Sequence, residues 1–236
     1  MYEIYQLISK RTDTELNSLP YKLAINLDKR SYCVYYVSLI KTKHLVFFSF
    51  LPIFDYNSRI LKIFLFFFNF TVTFIVNALF FNDNTMHKIY VDHGSYDFIY
   101  NIPQILYSSI ISGVINGIIK ILALSYSSFM ELKNNTNKKN INSRSRVIIK
   151  ILKIKFAIFF IISFILLIMF WFYLACFCAV YKNTQIHLIK DTSISFGISL
   201  IYPFGVYLLP GLFRIPSLRK KDKKCMFRFG KILQLI

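Results

Sequence analysis

Residues 156–180 read FAIFFIISFILLIMFWFYLACFCAV, an apolar run without a single charged side chain. A bilayer hydrocarbon core about 30 Å thick needs roughly 20 consecutive apolar residues to be crossed by a helix. The run therefore predicts a membrane-spanning helix rather than the core of a soluble domain. The whole chain is 56% hydrophobic with a mean hydropathy of +0.50, which is more apolar than soluble domains usually are.

Three further apolar blocks of similar length lie elsewhere in the chain and complete the predicted membrane domain. Together the blocks predict four spans, at about residues 60–81, 98–124, 156–180 and 194–213. The predicted fold class is an all-α integral membrane protein with four transmembrane helices and an N-terminal interfacial amphipathic helix. The predicted parts are an N-terminal cytoplasmic segment, a four-helix domain and a basic cytoplasmic tail, at 1–59, 60–213 and 214–236.

The predicted interfacial helix comes from residues 33–54, which are apolar but interrupted by Lys41, Lys43 and His44. Two lysines at the centre of a span would each cost about 2.5–3.5 kcal/mol. Each half of this stretch is too short to span alone. The pattern favours a helix lying along the membrane surface and ending near Pro52, and the alternative is a plain juxtamembrane linker.

The number of lysine and arginine residues alternates between high and low in successive segments outside the predicted spans. From the N-terminal segment to the tail, these segments hold 8, 1, 8, 2 and 8 of them. Cytoplasmic segments carry the excess of basic residues in membrane proteins, so the series predicts that both termini are cytoplasmic. The net charge of +18 then indicates contact with anionic lipids of the bilayer. No nucleic-acid partner is predicted, because the basic residues are not interleaved with aromatic residues in a binding fold.

Polar and small residues recur at helical spacing in the first two predicted spans. Asn69, Thr73 and Asn77 fall four residues apart and share one face. The second span carries a matching set, Ser109, Ser112, Gly113, Asn116 and Gly117. Small residues at this spacing let helices approach closely in lipid, so the two spans are predicted to form an antiparallel hairpin with polar contacts.

Two functions remain open for these polar faces. They can be structural contacts, each contributing about 0.6 kcal/mol, or they can line a path for an ion or solute. No acidic or basic residue falls at the centre of a predicted span, and this favours the structural interpretation.

Catalytic chemistry has no clear support in the sequence. No nucleophile paired with a base, no glycine-rich phosphate loop and no standard metal-binding spacing is present, so no enzyme activity, metal or cofactor is predicted. Cys225 lies among basic residues close to the last span, and it is a candidate for S-palmitoylation.

Four stretches carry a resemblance to a known family. They are LAINLDKRSYCVYYVSLIKTKHL at 23–45, NALFFNDNTMHKIY at 77–90, PQILYSSIIS at 103–112 and PFGVYLLPGLFRIPSL at 203–218. Together they resemble an uncharacterised family of ciliate multi-pass transmembrane proteins. The resemblance implies a multi-pass topology and no particular activity. Members of that family can extend further at the N-terminus, so it also allows the chain to be part of a longer protein.

The sequence therefore leaves two function hypotheses. The first is a structural or anchoring component whose basic face meets lipids or partner proteins. The alternative is a channel or transporter subunit with a polar path along the first two spans.

Overall fold

The computed structural model describes residues 12–53, 55, 57–93, 97–125, 141–219 and 223–234. Its helices, in chain order, are α1 (Asp13–Ser18), α2 (Tyr21–Leu27), α3 (Tyr32–Lys43), α4 (Leu45–Phe50), α5 (Arg59–Leu79), α6 (Asp83–Val91), α7 (Phe98–Ala123), α8 (Ile141–Val180), α9 (Gln185–Val206), α10 (Leu208–Arg219) and α11 (Lys224–Leu233). No strand occurs in these described ranges. The predicted polar start of the N-terminal segment, residues 1–11, lies outside them.

Four helical stretches are long and apolar enough to cross a membrane. They are Arg59–Leu79, Phe98–Ala123, Ser145–Val180 and Gln185–Arg219. Large apolar side chains along them are exposed, among them Phe164 at 65% and Trp171 at 70%. Such exposure is unfavourable in water and expected in lipid. The predicted fold class, an all-α integral membrane protein with four spanning helices, is confirmed.

The chain divides into two compact units. One combines Met1–Arg59 with Leu200–Ile236, and the other is Ile60–Ser199. They are called the terminal unit and the central unit below. The division after residue 59 falls at the predicted boundary, whereas the second division falls after Ser199 rather than at residue 213, because the second half of the last spanning stretch packs with the N-terminal helices.

Proline chemistry explains why the last spanning stretch consists of two helices. A proline ring clashes with the carbonyl group four residues before it and donates no hydrogen bond. Pro210 lies four residues after Val206, where α9 ends. The chain turns at Tyr207, and Pro210 then falls in the first turn of α10, where its missing N–H costs least.

The N-terminal region folds differently from the predicted single interfacial helix. It forms α3 and α4, which are separated at His44, and α4 ends at Phe50, before Pro52. Ser31 caps α3 by accepting a hydrogen bond from the Val34 amide. One face of α3 is buried in the terminal unit, in a cluster of Tyr35, Leu39, Ile40, Tyr207 and Ile215. These residues therefore build a core as well as a surface helix.

The central unit also has more helix than the sequence predicts. The first predicted loop contains α6, whose start is capped by the Asn82 side chain. The last predicted loop shrinks to a short 3₁₀ helix at Lys182–Thr184. The fourth long helix consequently begins at Gln185 rather than near residue 194.

Candidate polar site in the central unit

The earlier start of α9 places a carboxylate inside a candidate membrane span. Asp191 is 0% exposed. The side-chain amides of two residues on α7 donate to its oxygens, Asn101 to Oδ1 and Gln104 to Oδ2, both at 3.4 Å. Asp191 lies before the predicted span 194–213, so the prediction that no charged residue falls at the centre of a span is not contradicted. The sequence missed the first turns of α9 because Lys190 and Asp191 gave residues 185–193 the composition of a loop.

A second group of hydrogen bonds connects three helices of the central unit through Asn77. The Asn77 Oδ1 atom accepts from Ser108 Oγ on α7 at 2.8 Å and from Ser195 Oγ on α9 at 3.3 Å. The two hydroxyl oxygens lie 3.1 Å apart. Each of the three side chains is 0% exposed. Without water, such groups must bond one another, and together they fix the relative positions of α5, α7 and α9.

The two groups form one cluster along α9. Asp191 and Ser195 are four residues apart, so they lie on the same face of the helix, one turn from each other. The name Asp191 cluster is used below for Asp191, Asn101, Gln104, Asn77, Ser108 and Ser195. Thr192 adjoins the cluster in sequence and is 1% exposed. Its hydroxyl oxygen has no hydrogen-bond partner within the described part of the chain. A buried hydroxyl of this kind can accept or donate a bond to a small ligand.

A small polar cavity lies next to the cluster. Its volume is about 10 Å³, roughly the space that one water molecule occupies. Asn101 lines the cavity and also donates to Asp191. Its other lining residues are Thr85, Lys88, Ile89, Asp92, Asp97, Tyr100 and His187. One amide side chain therefore contacts both the cavity and the buried carboxylate.

Lys88 organises the rim of this cavity. Its Nζ atom donates to Asp97 Oδ2 at 2.9 Å and lies 3.7 Å from the centre of the Tyr100 ring. The hydrogen bond from Lys88, together with those from the Tyr100 and Ile99 amides, lowers the pKa of Asp97 below 3.8. Asp97 also caps α7, because its Oδ1 atom accepts from the Tyr100 amide. The rim is therefore charged and polar at neutral pH.

The predicted polar stripe on α5 is buried to different depths. Asn77 and Thr73 are buried, at 0% and 2% exposure, and Asn69 is partly buried. Thr73 donates to the Asn69 carbonyl group at 2.9 Å, and Asn77 donates to the Thr73 carbonyl group at 2.9 Å. Asn116 on α7 donates to Asn69 Oδ1. The polar residues of α5 and α7 thus make contact at two levels, at Asn69 and at Asn77.

The small residues predicted on α7 behave unequally. Ser109 and Ser112 bond carbonyl groups of their own helix, those of Ile105 at 2.8 Å and Ser109 at 3.1 Å. Gly113 and Gly117 are exposed, and a Cβ atom added at either would meet nothing within 4 Å among the described residues. Close helix packing at these two glycines is therefore not seen in the described structure. At the level of Asn77, the contact of α7 with α5 uses Ser108, one residue away from the predicted Ser109, and at the level of Asn69 it uses the predicted Asn116.

Cys225, the candidate lipidation site, is exposed near the start of α11 in the terminal unit. Cys225 is not part of the Asp191 cluster. The spacing of the cluster's polar residues is a signal in the sequence, but the loop-like composition of residues 185–193 conceals it. Asp191 and Ser195 follow helical spacing, and so do Asn101, Gln104 and Ser108. These residues become visible as a pattern only once residues 185–193 are assigned to a helix.

Comparison with protein-family models, curated proteins and solved structures finds no match to this chain.

Proposed function

We propose that the protein is a channel or transporter subunit that moves a proton or a small monovalent cation, with Asp191 as the binding group. The observation that carries the proposal is the fully buried carboxyl group of Asp191 in a candidate spanning helix. An ionisable side chain inside a membrane is costly and usually marks an ion path or proton relay. Asn101 and Gln104 supply amide groups that suit a carboxylate.

Two further features support a path rather than an isolated ion pair. The one-water cavity is lined by Asn101, which gives one water molecule a place next to the cluster. On α9, Ser195 donates to Asn77 one turn beyond Asp191, and the buried Thr192 hydroxyl next to Asp191 in sequence has no hydrogen-bond partner among the described residues. Hydroxyl and amide oxygens are ligands for small cations, and hydroxyl groups can also relay protons. In this proposal both termini are cytoplasmic, which the alternation of basic residues supports.

The test is a flux measurement on the purified protein in sealed vesicles that contain a pH-sensitive dye. For proton flux, a potassium gradient with valinomycin supplies the driving voltage. Sodium and potassium flux are measured in separate vesicles without valinomycin. Asp191→Asn keeps the shape and removes the charge, so we expect flux to fall at least about tenfold, as loss of a functional intramembrane charge implies. Asp83→Asn makes the same chemical change at an exposed residue of α6 and should leave flux unchanged.

Two results would contradict the proposal. One is equal flux in the wild-type protein and Asp191→Asn, and the other is no flux of protons, sodium or potassium above empty vesicles. Ser195→Ala offers a milder variant in which the helix contacts of Asp191 persist, and it should lower flux by a smaller factor.

A structural or anchoring role is the second candidate, and α11 favours it. Cys225 and Lys224 are exposed on this helix, while Phe227 and Gly230 on another face are buried. A helix with a basic exposed face next to a spanning segment is suited to anionic lipid surfaces. Under this proposal, absence of flux would leave the Asp191 cluster as a set of packing contacts.

A further inference from the structure

A buried ionic cluster lies in the terminal unit, well away in sequence from Asp191. Arg214 on α10 donates from its Nη2 atom to Asp28 Oδ2 at 2.9 Å, and Arg30 donates from its Nε atom to Asp28 Oδ1 at 2.7 Å. The side chain of Asp28 is 0% exposed and that of Arg214 is 1% exposed. One buried carboxylate therefore faces two guanidinium groups, and Arg30 also pairs with the more exposed Asp13 at 3.5 Å.

This cluster forms one wall of a cavity of about 210 Å³. The lining residues are Ile25, Asp28, Lys29, Arg30, Ile215, Leu218 and Arg219. We call it the basic cavity. It holds three cations against one carboxylate, and two of those cations, Lys29 and Arg219, are exposed. Drug-sized ligands occupy pockets of at least about 300 Å³, so this volume suits a compact anionic group such as phosphate.

The position of the basic cavity indicates where its ligand comes from. Ile215, Leu218 and Arg219 belong to the end of the candidate span Gln185–Arg219. The end of a span lies at the level of the lipid headgroups, where phosphate groups are abundant. Two exposed apolar residues on α2, Leu23 at 47% and Leu27 at 42%, lie close in sequence to the cavity residues. Exposed leucines beside lysine and arginine favour an amphiphile over a free ion.

We infer that the basic cavity binds the phosphate headgroup of an anionic phospholipid, with Lys29 and Arg219 contacting the phosphate oxygens. Arginine binds phosphate through two parallel hydrogen bonds, and lysine contributes a compact charge. The apolar side chains of Ile25, Ile215 and Leu218 would then contact the glycerol and upper acyl region. This site shares no residue with the Asp191 cluster, and the inference does not depend on ion transport.

The test measures binding of dioctanoyl phosphatidic acid to the full chain in detergent by isothermal titration calorimetry. Lys29→Gln/Arg219→Gln removes the two exposed cations and leaves the Asp28 pairs intact. We expect its affinity to fall at least about tenfold, because hydrogen bonds to charged groups are among the stronger ones. Lys150→Gln/Arg146→Gln is the matched control, since it removes one lysine and one arginine exposed on α8 and should bind nearly as the wild type does.

Competitors distinguish the possible sources of the phosphate. Inorganic phosphate and dioctanoyl phosphatidylcholine should each bind much more weakly than phosphatidic acid. Equal affinity for inorganic phosphate would overturn the lipid assignment, and equal loss in both double variants would overturn the cavity as the site. Lys29→Arg/Arg219→Lys retains the charge and should retain binding, so a failure caused by misfolding is recognised. Ion flux should be unchanged in all these variants.

Discussion

The side chain of Asp28 holds together parts of the chain that are far apart in sequence. It lies between α2 and α3 and pairs with Arg214 on α10, while Arg214 also donates to the Leu16 and Asn17 carbonyl groups. Burial would raise the pKa of Asp28, but the hydrogen bonds and charges of Arg30 and Arg214 outweigh it and hold the pKa below 3.8. The ionised form is therefore the one that the folded terminal unit favours.

The lowered pKa of Asp28 predicts acid sensitivity. A carboxyl group with a folded pKa below its unfolded value stabilises the fold fully above the unfolded value of 3.8, and this contribution is lost as the pH falls through the folded pKa. We expect the melting temperature, followed by circular dichroism in detergent, to drop steeply below about pH 4. Asp28→Asn should already lose about 3–5 kcal/mol at neutral pH, because the buried Arg214 loses its carboxylate.

Comparing how steeply stability changes with pH in the wild type and in Asp28→Asn isolates the contribution of this one carboxyl group. The stability of Asp28→Asn should change less between about pH 5 and pH 3 than that of the wild type. Parallel pH profiles for the two proteins would show that Asp28 is not the group responsible.

At the scale of single elements, α11 depends on a close approach of backbones. A Cβ atom at Gly230 would lie 3.2 Å from the Arg214 amide nitrogen, 3.2 Å from the Pro210 carbonyl oxygen and 3.3 Å from Phe213 Cβ. Two of these three atoms belong to the backbone and cannot swing aside. Gly230 therefore lets α11 lie directly on α10, with Phe213 and Phe229 in edge contact at 4.8 Å between ring centres.

Substitution of this glycine should loosen the terminal helix. Gly230→Val forces a larger group against the backbone of α10, and overpacking of this kind costs about 1–3 kcal/mol. Hydrogen–deuterium exchange of residues 224–233 should accelerate accordingly. Gly117→Val is the matched control, because an added Cβ at Gly117 meets nothing within 4 Å, and its exchange profile should match the wild type. Equal protection of α11 in both variants would argue against the glycine contact.

The sequence predicted some elements well and others poorly, for physical reasons that differ. The four spans follow from composition, since the thickness of the bilayer fixes the length of an apolar helix. The start of α9 does not, because its first turns carry Lys190 and Asp191 and the protein interior supplies the amide partners that make burial of the carboxylate tolerable. The contact of Asn69 with Asn116 could be predicted by counting how far each residue lies from the end of its span. The partners of Asp191 could be predicted only with the correct start of α9.

At the scale of the whole molecule, the arrangement of charged segments makes a prediction about topology. Four spans and a strong excess of basic residues in alternate segments place both termini on the cytoplasmic side in the proposed orientation. The exposed residues Asn84 on α6 and Cys225 on α11 would then lie on opposite sides of the membrane.

Cysteine labelling tests this topology directly. In a background with the four native cysteines replaced by serine, Asn84→Cys should react with an impermeant maleimide added to intact cells. A second protein that retains Cys225 alone should react only after the membrane is permeabilised. Labelling of Cys225 in intact cells would reverse the proposed orientation, and labelling of both sites from one side would contradict the three spans that separate them.

The length of α8 has a consequence for anything that meets the protein outside the bilayer. At 1.5 Å per residue, its 40 residues form a rod about 60 Å long, roughly twice the thickness of the hydrocarbon layer. With residues 156–180 in that layer, the remaining turns extend about 22 Å beyond its edge. These turns carry Lys153, Lys150 and Arg146, in order of increasing distance from the acyl chains. A partner that binds residues 145–150 would be held beyond the headgroups by a rigid helix rather than by a flexible tether.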